Sequence, residues 1–315
     1  QLLRRGDFMN RRHFLKAVTA CSTSILTSMM FGSVSARPVE NYAFKAIPSS
    51  GEKIPTIGMG SFVNFNFVQD DDILRQRTEL LGQFFEHGGT LIDSSPMYGA
   101  SEKNLGYCID KLKARDKLFA ASKVWTSSVD DGPAEIAASQ DLWRINQFDL
   151  LQVHNLLSWE GHLEHLLNMK KQGDLRYVGV TTSHGRRHSE LEQVMLNQPI
   201  DFVQATYNVI DREVEQRLLP IAREKGIAFI ANRPFQRGVL IDWVKKHPLP
   251  DFARDLGCDN WASLLLKFIV SHPAVTCAIP ATSRKDHLAE NMQAMTGVLP
   301  DQKMRNQIVR HVASL

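Results

Sequence analysis

"LIDSSPMYGASEKNLGYCIDKLKAR", residues 91–115, shows the pattern that decides the fold. It begins with a short apolar run typical of a buried strand, passes through a polar turn, and continues with helical periodicity to its end. From Ile54 onward the chain repeats this order of strand, turn and helix. Such repetition predicts parallel strands joined by helices.

Eight strands are predicted, at residues 56–60, 91–95, 119–123, 150–155, 177–182, 202–208, 228–234 and 276–282. Amphipathic stretches between them include residues 77–88, 101–115, 161–174 and 213–226, and several end in Gly near a basic residue, as helix C-termini prefer. The pattern predicts an α/β fold, a single-domain (β/α)8 TIM barrel. A doubly wound sheet is the alternative, but no G-x-G-x-x-G motif follows the first strand.

The composition excludes several classes of protein. With 43 % hydrophobic and 23 % charged residues among 315, the chain is globular rather than disordered or fibrous. Five basic residues and one acid fall within residues 1–36, which leaves the remainder near neutrality and gives no reason to expect nucleic acid as a partner. Cys21 lies in the leader, and Cys108, Cys258 and Cys277 lie far apart without metal-ligand spacing, so we expect three reduced structural thiols and no metal site.

The first 36 residues form a leader. Arg11, Arg12 and Lys16 begin it, a moderately apolar stretch rich in Ser and Thr follows over residues 17–34, and Val34-Ser35-Ala36 offers small residues for cleavage. The string "RRHFLK", residues 11–16, resembles the twin-arginine export signal. That resemblance implies the twin-arginine export machinery as a partner and a periplasmic or otherwise exported location.

Three alternatives remain for this leader: a single membrane anchor, a surface helix and a lipoprotein signal. A membrane anchor is disfavoured because the stretch is too polar to span, so no stable membrane span is expected in the mature form. A lipoprotein signal ending at Cys21 is disfavoured because its apolar stretch is too short. Met9 is the expected initiator. The predicted boundaries are a leader at 1–36, an N-terminal segment at 37–53, the barrel at 54–297 and a C-terminal tail at 298–315.

Four polar residues lie at strand ends, which share one mouth in a barrel. Asp93 and Tyr98 follow the second strand, while Lys123 and His154 end the third and fourth. Taken singly, such residues are usually structural. Together, Lys123 could stabilise the phenolate of Tyr98, Asp93 could balance Lys123, and His154 could hydrogen-bond a substrate oxygen. This set is a general acid with a carbonyl-polarising partner, and a reduction would need a cofactor as the hydride source.

Five ordered motifs carry a resemblance to the aldo-keto reductases between Ile54 and Ala294. They are "IPTIGMGSF" (54–62), "LIDSSPMYGASEKNLG" (91–106), "GDLRYVGVTTS" (173–183), "VQATYN" (203–208) and "IPATSRKDHLAEN" (279–291). The resemblance implies that Asp93, Tyr98, Lys123 and His154 form the family's catalytic tetrad, with Tyr98 as proton donor. It also implies a small carbonyl substrate and a nicotinamide dinucleotide, NADPH or alternatively NADH, that binds extended across the barrel mouth.

The same resemblance implies a set of cofactor-binding residues: Gly60, Ser61, Thr181, Thr182, Gln204, Arg233, Arg237, Thr282, Arg284, His287, Glu290 and Asn291. Some positions depart from the family pattern. Thr181-Thr182 replaces Ser-Asn, and Asn232 stands where an aromatic residue often stacks on the nicotinamide, so Arg233 or Arg237 could compensate at the pyrophosphate. Ala281 and His287 replace basic residues that hold the 2′-phosphate, which leaves Arg284 as the substitute.

Aromatic residues near strand ends are candidates for an apolar substrate pocket. Phe62 and Trp125 are the principal ones, with Phe65 and Trp159 as further candidates. Plain packing is the alternative role for each.

Export conflicts with the use of a dinucleotide cofactor, because little free NADPH exists outside the inner membrane and a reductase there could not have its cofactor re-reduced. Reduction of aldehydes or ketones is the first hypothesis. A cofactor-retaining redox sensor or regulatory binding subunit is the second. An enzyme that passes hydride between two substrates without releasing the dinucleotide is the third.

Overall fold

The computed structural model describes residues 43–315; the predicted leader, its cleavage site and Cys21 lie outside them. Eight parallel strands form one sheet: β3 (Met59–Gly60), β4 (Leu91–Asp93), β5 (Phe119–Val124), β6 (Leu150–Val153), β7 (Tyr177–Thr181), β8 (Phe202–Thr206), β9 (Ala228–Asn232) and β10 (Val275–Ala278). The sheet closes because Ile57 bridges Ala278 and the amide of Gly58 donates to the Ala278 carbonyl at 2.9 Å. The predicted (β/α)8 barrel is confirmed.

An antiparallel hairpin precedes the barrel strands. β1 (Phe44–Ala46) pairs with β2 (Lys53–Pro55), within the segment that the sequence left without assigned structure. The ammonium of Lys45 donates to the carbonyls of Val270, His272 and Val275 at 2.7, 3.1 and 2.6 Å. Since Val275 is the first residue of β10, the hairpin covers the end of the barrel where the strands begin.

Helices follow the strands around the barrel: α1 (Asp71–Glu86), α2 (Ser101–Leu112), α3 (Gly132–Trp143), α4 (Trp159–Gln172), α5 (His188–Asn197), α6 (Leu218–Lys225), α7 (Val239–Val244), α8 (Trp261–Val270), α9 (Lys285–Gln293) and α10 (Gln302–Ala313). Their ends follow local chemistry. The Asp70 carboxylate caps α1 by accepting the Ile73 amide at 2.9 Å, and Gly173 ends α4 with a positive φ of 87°. Among residues 43–315, no helix is long and apolar enough to cross a membrane.

Two segments differ from the sequence prediction. The helix expected at 213–226 begins as a short 3-10 helix, Glu213–Glu215, and is α-helical only from Leu218. The expected tail at 298–315 contains α10, whose Ile308 and Val312 side chains are buried. These apolar residues recur four positions apart on one face, and that face packs into the core.

Side chains alternate between inward and outward directions along each strand, and the inward-facing ones form two levels in the barrel interior. The inward positions nearest the strand starts are apolar, among them Leu91, Phe119, Leu150 and Phe202, all buried in one cluster. Two or four residues later the same inward rows carry polar groups, such as Asp93, Lys123, Gln152, Gln204 and Asn232. A packed lower level therefore supports a polar upper level at the C-terminal ends of the strands.

Two glycines in helices provide a matched test of the packing. A Cβ added to Gly106 in α2 would lie 2.0 Å from the carbonyl oxygen of Leu142, whereas one added to Gly82 in α1 would only touch the Leu112 side chain at 3.5 Å. We expect Gly106→Ala to lower the free energy of unfolding by about 1–3 kcal/mol. We expect Gly82→Ala to raise it by about 0.5–1 kcal/mol, because alanine restricts the unfolded chain. Chemical denaturation measures both, and equal changes would contradict the packing of α2 against α3.

Candidate active site

A cleft of about 750 Å³ opens at the C-terminal ends of the barrel strands. Asp93, Tyr98 and His154 lie on its wall together with residues from the loops after β3, β7, β9 and β10. The lining includes polar side chains from several strands and the exposed apolar residues Val63 and Met97. Such a concave site with convergent polar groups is the usual form of a ligand-binding cleft.

A buried ion pair lies at the base of this wall. The Lys123 ammonium is 2.6 Å from Asp93 Oδ2, and the two side chains are 0 % and 2 % exposed. Lys123 also donates to the Ser94 carbonyl at 2.7 Å. Burial alone would lower the pKa of Lys123, but the Asp93 carboxylate and the Tyr98 phenol together raise that pKa above its ordinary value. Lys123 therefore remains an ammonium at every physiological pH.

The second oxygen of Asp93 is held by two amides. Gln204 Nε2 donates to Asp93 Oδ1 at 3.0 Å, and Gln152 Nε2 donates to the same oxygen at 3.2 Å. Gln152 is paired in register with Lys123, which places both beside Asp93. Both carboxylate oxygens are thus occupied, and the orientation of Asp93 is fixed.

Tyr98 ends a 3-10 helix, Pro96–Tyr98, directly after β4. The Ser95 hydroxyl begins this turn by accepting the Met97 amide at 3.2 Å. The Lys123 ammonium lies 5.1 Å from the centroid of the Tyr98 ring. Burial raises the pKa of the Tyr98 phenol and the charge of Lys123 opposes this rise, with a net value above the ordinary one. Tyr98 consequently carries its proton at neutral pH, as a proton donor must.

His154 follows β6 directly and faces Tyr98 edge-on, with the two rings 5.7 Å apart at 87°. Its Nδ1 lies 2.8 Å from the Ser95 hydroxyl. Burial and, secondarily, the charge of Lys123 lower the pKa of His154 to about 3. The imidazole is therefore neutral at physiological pH, with one ring N–H available as a hydrogen-bond donor.

The structure brings most of the other predicted site residues to the same cleft. Those that line it are Gly60, Ser61, Phe62, Thr181, Thr182, Gln204, Arg233, Arg237, Thr282, His287, Glu290 and Asn291. Arg284 is not among the lining residues, and its guanidinium binds the neighbouring Asp286 at 3.0 Å. Its assignment to a phosphate stays a prediction.

The three remaining aromatic candidates lie outside the lining. Trp125 is 42 % exposed and does not border the cleft. Phe65 is fully buried in the core between strands and helices. Trp159 begins α4, where its indole N–H donates to Glu190 at 3.0 Å. All three follow strands at the C-terminal end of the barrel, as their sequence positions predicted, but none of them lines the cleft.

Two details of the wall concern close backbone packing and an unpaired hydroxyl. A Cβ on Gly60 would lie 3.0 Å from the Ile279 carbonyl oxygen, tighter than an ordinary contact, so glycine favours the close approach of β3 to this segment. The buried hydroxyl of Thr182 has no hydrogen-bond partner within the described part of the chain. A buried hydroxyl without a partner is costly, and a ligand in the cleft could supply the missing bond.

Several lining residues were missed by sequence reasoning, namely Asn64, Met97, Asn155, Ser183, His184, Lys245 and Trp261. They sit in loops, in short 3-10 helices or at the ends of α-helices, where no periodicity marks the direction of a side chain. Asn155 does carry a structural signal, since its φ of 52° is unusual for a residue other than glycine. Asn232 takes part through its side chain, which donates to the Thr182 carbonyl at 2.9 Å and accepts from Thr206 at 2.7 Å.

The chain is similar in sequence to proteins of one known family. The sequence profile of the Aldo/keto reductase family matches residues 56–311. The chain is 29 % identical over 259 residues to methylglyoxal reductase YeaE of Escherichia coli K12, covering 78 % of this chain and 88 % of the relative. It is 22 % identical over 317 residues to L-glyceraldehyde 3-phosphate reductase of the same organism, covering 84 % and 90 %.

Two solved structures have the same fold. The thermostable aldo-keto reductase Tm1743, in complex with the inhibitor epalrestat, is 28 % identical with a TM-score of 0.71 and covers 85 % of this chain and 99 % of its own. An aldo/keto reductase from Klebsiella pneumoniae, in complex with NADP and acetate, is 22 % identical with a TM-score of 0.70 and covers 83 % and 93 %.

The buried ion pair yields a stability prediction. Asp93→Asn leaves the buried ammonium of Lys123 without a counter-charge, so we expect a loss of about 3–5 kcal/mol in the free energy of unfolding. The double variant Asp93→Asn/Lys123→Met removes both charges and should recover most of this loss. Urea denaturation measures the cycle. Asp72→Asn is the control: it breaks a surface pair with Arg75, both side chains more than half exposed, and should cost at most about 1 kcal/mol. A double variant no more stable than Asp93→Asn would contradict the burial argument.

Proposed function

The chain belongs to the aldo/keto reductase family, and from this membership we propose that it reduces an aldehyde or ketone to an alcohol, or catalyses the reverse oxidation, with NADPH as the hydride donor. The observation that carries the proposal is the cluster of Asp93, Lys123, Tyr98 and His154 at one wall of the cleft. A proton donor, a buried cation beside it and a neutral hydrogen-bond donor are the groups that carbonyl reduction needs.

Tyr98 is the proton donor in this proposal. When a carbonyl accepts hydride at carbon, negative charge develops on its oxygen and a proton must arrive there. Tyr98 holds that proton, and the nearby ammonium of Lys123 stabilises the phenolate left behind. Asp93 keeps Lys123 charged and in place through the 2.6 Å contact.

His154 orients the carbonyl. The Ser95 hydroxyl accepts the Met97 amide, so its own proton is free to go to His154 Nδ1. This arrangement puts the imidazole proton on Nε2, where it can donate to the substrate oxygen. Because the pKa of His154 is lowered to about 3, the ring binds the oxygen without competing with Tyr98 for proton delivery.

The cleft suits a dinucleotide. A bound nicotinamide would supply the hydride. In this proposal Gln204 and Thr182 bind its carboxamide, and the unpartnered Thr182 hydroxyl supports this. Thr282, His287, Glu290 and Asn291 line the part of the cleft formed by the loop after β10 and α9, where the adenosine would lie. The 750 Å³ volume is within the range of cofactor sites.

The choice of NADPH over NADH depends in this proposal on Arg284, because Ala281 and His287 replace the basic residues that hold the 2′-phosphate in many relatives. Arg284 is exposed and paired with Asp286, so it would have to exchange that carboxylate for a 2′-phosphate. Surface ion pairs of this kind contribute little to stability, so Arg284 can exchange its partner at small cost. Because one exposed arginine is the sole candidate for the 2′-phosphate, NADH remains the alternative cofactor.

The proton donor can be tested directly. We expect Tyr98→Phe to lower kcat for NADPH-dependent reduction of an aldehyde by about 10²- to 10⁴-fold, because the general acid is removed. NADPH binding, measured by quenching of protein fluorescence, should persist. Tyr107→Phe is the control, since Tyr107 lies on α2 outside the cleft and should keep normal activity. Full activity in Tyr98→Phe would count decisively against the proposed mechanism.

We further propose that residues 9–36 direct export through the twin-arginine route to the periplasm. The supporting observation is the sequence itself, a paired arginine followed by a moderately apolar stretch and small residues. This route carries folded proteins, so the barrel could take up its dinucleotide before crossing the membrane.

The paired arginines give the test of export. We expect Arg11→Lys/Arg12→Lys to abolish the appearance of the protein in the periplasm of a bacterium with the twin-arginine machinery. The control is Arg4→Lys/Arg5→Lys, a second adjacent pair that lies before Met9 and should have no effect. Immunoblotting of periplasmic and cytoplasmic fractions measures the result. Unchanged export of the Arg11/Arg12 variant would refute the proposal.

A further inference from the structure

The loop after β9 carries two arginines that face the cleft without an acidic partner. Arg233 and Arg237 both line the cleft, and neither forms an ion pair with any carboxylate in the described chain. Arg212 and Arg217, on the loop after β8, are paired with Glu215 and Glu192. The Asp211 carboxylate acts on Arg233 and offsets part of its charge, so the positive field on this rim comes mainly from Arg237 and favours an anionic ligand.

The backbone of this loop is held in an unusual conformation. Arg233, Gln236 and Arg237 have φ angles of 52°, 50° and 61°, in the left-handed region that residues other than glycine seldom adopt. Two side-chain bonds hold it there: Gln236 donates to Asp211 at 2.8 Å, and Asn208 donates to the Arg233 carbonyl at 3.1 Å. Strain that is anchored in this way is typical of segments that present groups to a ligand.

Arg237 reaches across the cleft toward the proton donor. Its guanidinium carbon lies 4.7 Å from the centroid of Phe62, on the loop after β3. Phe62 in turn packs edge-on against Tyr98, with ring centroids 4.9 Å apart. The guanidinium is therefore one aromatic ring away from Tyr98, within reach of a substrate whose carbonyl oxygen rests on the Tyr98 hydroxyl.

Carboxylates in the lining do not cancel this charge. Asp93 is fully engaged by Lys123, Gln152 and Gln204. Asp242 forms an ion pair with Lys245. Glu290, on α9, and Asp259, in the segment before α8, lie on elements other than the loop that carries Arg237. None of these lies within ion-pair distance of Arg237 in residues 43–315.

We propose that Arg237 binds a negatively charged group of the carbonyl substrate, so that the protein prefers anionic aldehydes or ketones to neutral ones. This inference rests on the proposed reductase function and adds a substrate class to it. A guanidinium recognises carboxylate and phosphate by the same charge-assisted hydrogen bonds. The pyrophosphate of the dinucleotide offers the same chemistry, and the experiment must separate the two sources.

The test compares two aldehydes that differ in charge, 4-carboxybenzaldehyde and methyl 4-formylbenzoate, with NADPH as reductant. We expect the wild-type protein to favour 4-carboxybenzaldehyde in kcat/KM, and Arg237→Met to reduce that preference about 10-fold, mainly through KM. Arg237→Lys should restore part of the preference, because the charge returns without the bidentate geometry. Arg254→Met, an exposed arginine outside the cleft, controls for net charge and should leave the preference unaltered.

A binding measurement separates the sources of the anion and does not depend on turnover. Wild type and Arg237→Met are titrated with 4-(hydroxymethyl)benzoate and, separately, with NADPH, by protein fluorescence. Weaker binding of the benzoate alone supports the proposal. Weaker binding of NADPH alone overturns the proposal and assigns Arg237 to the dinucleotide. An unchanged preference between the two aldehydes in Arg237→Met also overturns it. A wild type that reduces neither aldehyde counts against the reductase function, while the benzoate titration still decides the role of Arg237.

Discussion

The contact between Lys123 and Asp93 is the interaction on which the rest of the site depends. It joins two neighbouring strands, β5 and β4, at the level where the barrel interior changes from apolar to polar. In so dry a place neither charge would be tolerated alone. Each charge therefore requires the other. The pair can form only if the register of β4 and β5 places the inward-facing Asp93 next to the inward-facing Lys123.

The same pair sets the protonation of its neighbours. The positive charge of Lys123 helps to keep His154 neutral and opposes the rise that burial causes in the pKa of Tyr98. One cation thus acts on two groups to which the proposed mechanism gives different tasks: His154 would donate a hydrogen bond, and Tyr98 would release a proton. Gln152 and Gln204 complete the arrangement by holding the second oxygen of Asp93, and Gln204 extends it to the part of the wall where a nicotinamide would lie.

Sequence reasoning reached the barrel and its central residues because both follow from periodicity. Alternation along a strand determines which side chains point inward, and the parallel arrangement brings all strand ends to one mouth. Asp93, Lys123 and His154 could therefore be placed from the pattern alone. Loop residues could not: Trp125 and Arg284 occupy positions near strand ends, yet their directions are decided by local turns and by neighbours such as Asp286. The hairpin of β1 and β2 and the helix α10 were missed because their short or isolated patterns give weak signals.

The apolar lower level of the barrel has a consequence for the supply of protons. Below the polar groups, the interior is filled by Phe119, Leu150, Phe202 and their neighbours, and the hairpin covers the far end. In the proposed mechanism Tyr98 is left as a phenolate, and since Tyr98 lines the open cleft, this phenolate would regain its proton from the cleft. In that mechanism ligands and protons would use the same opening, so reprotonation of Tyr98 would have to wait until the product has left the cleft.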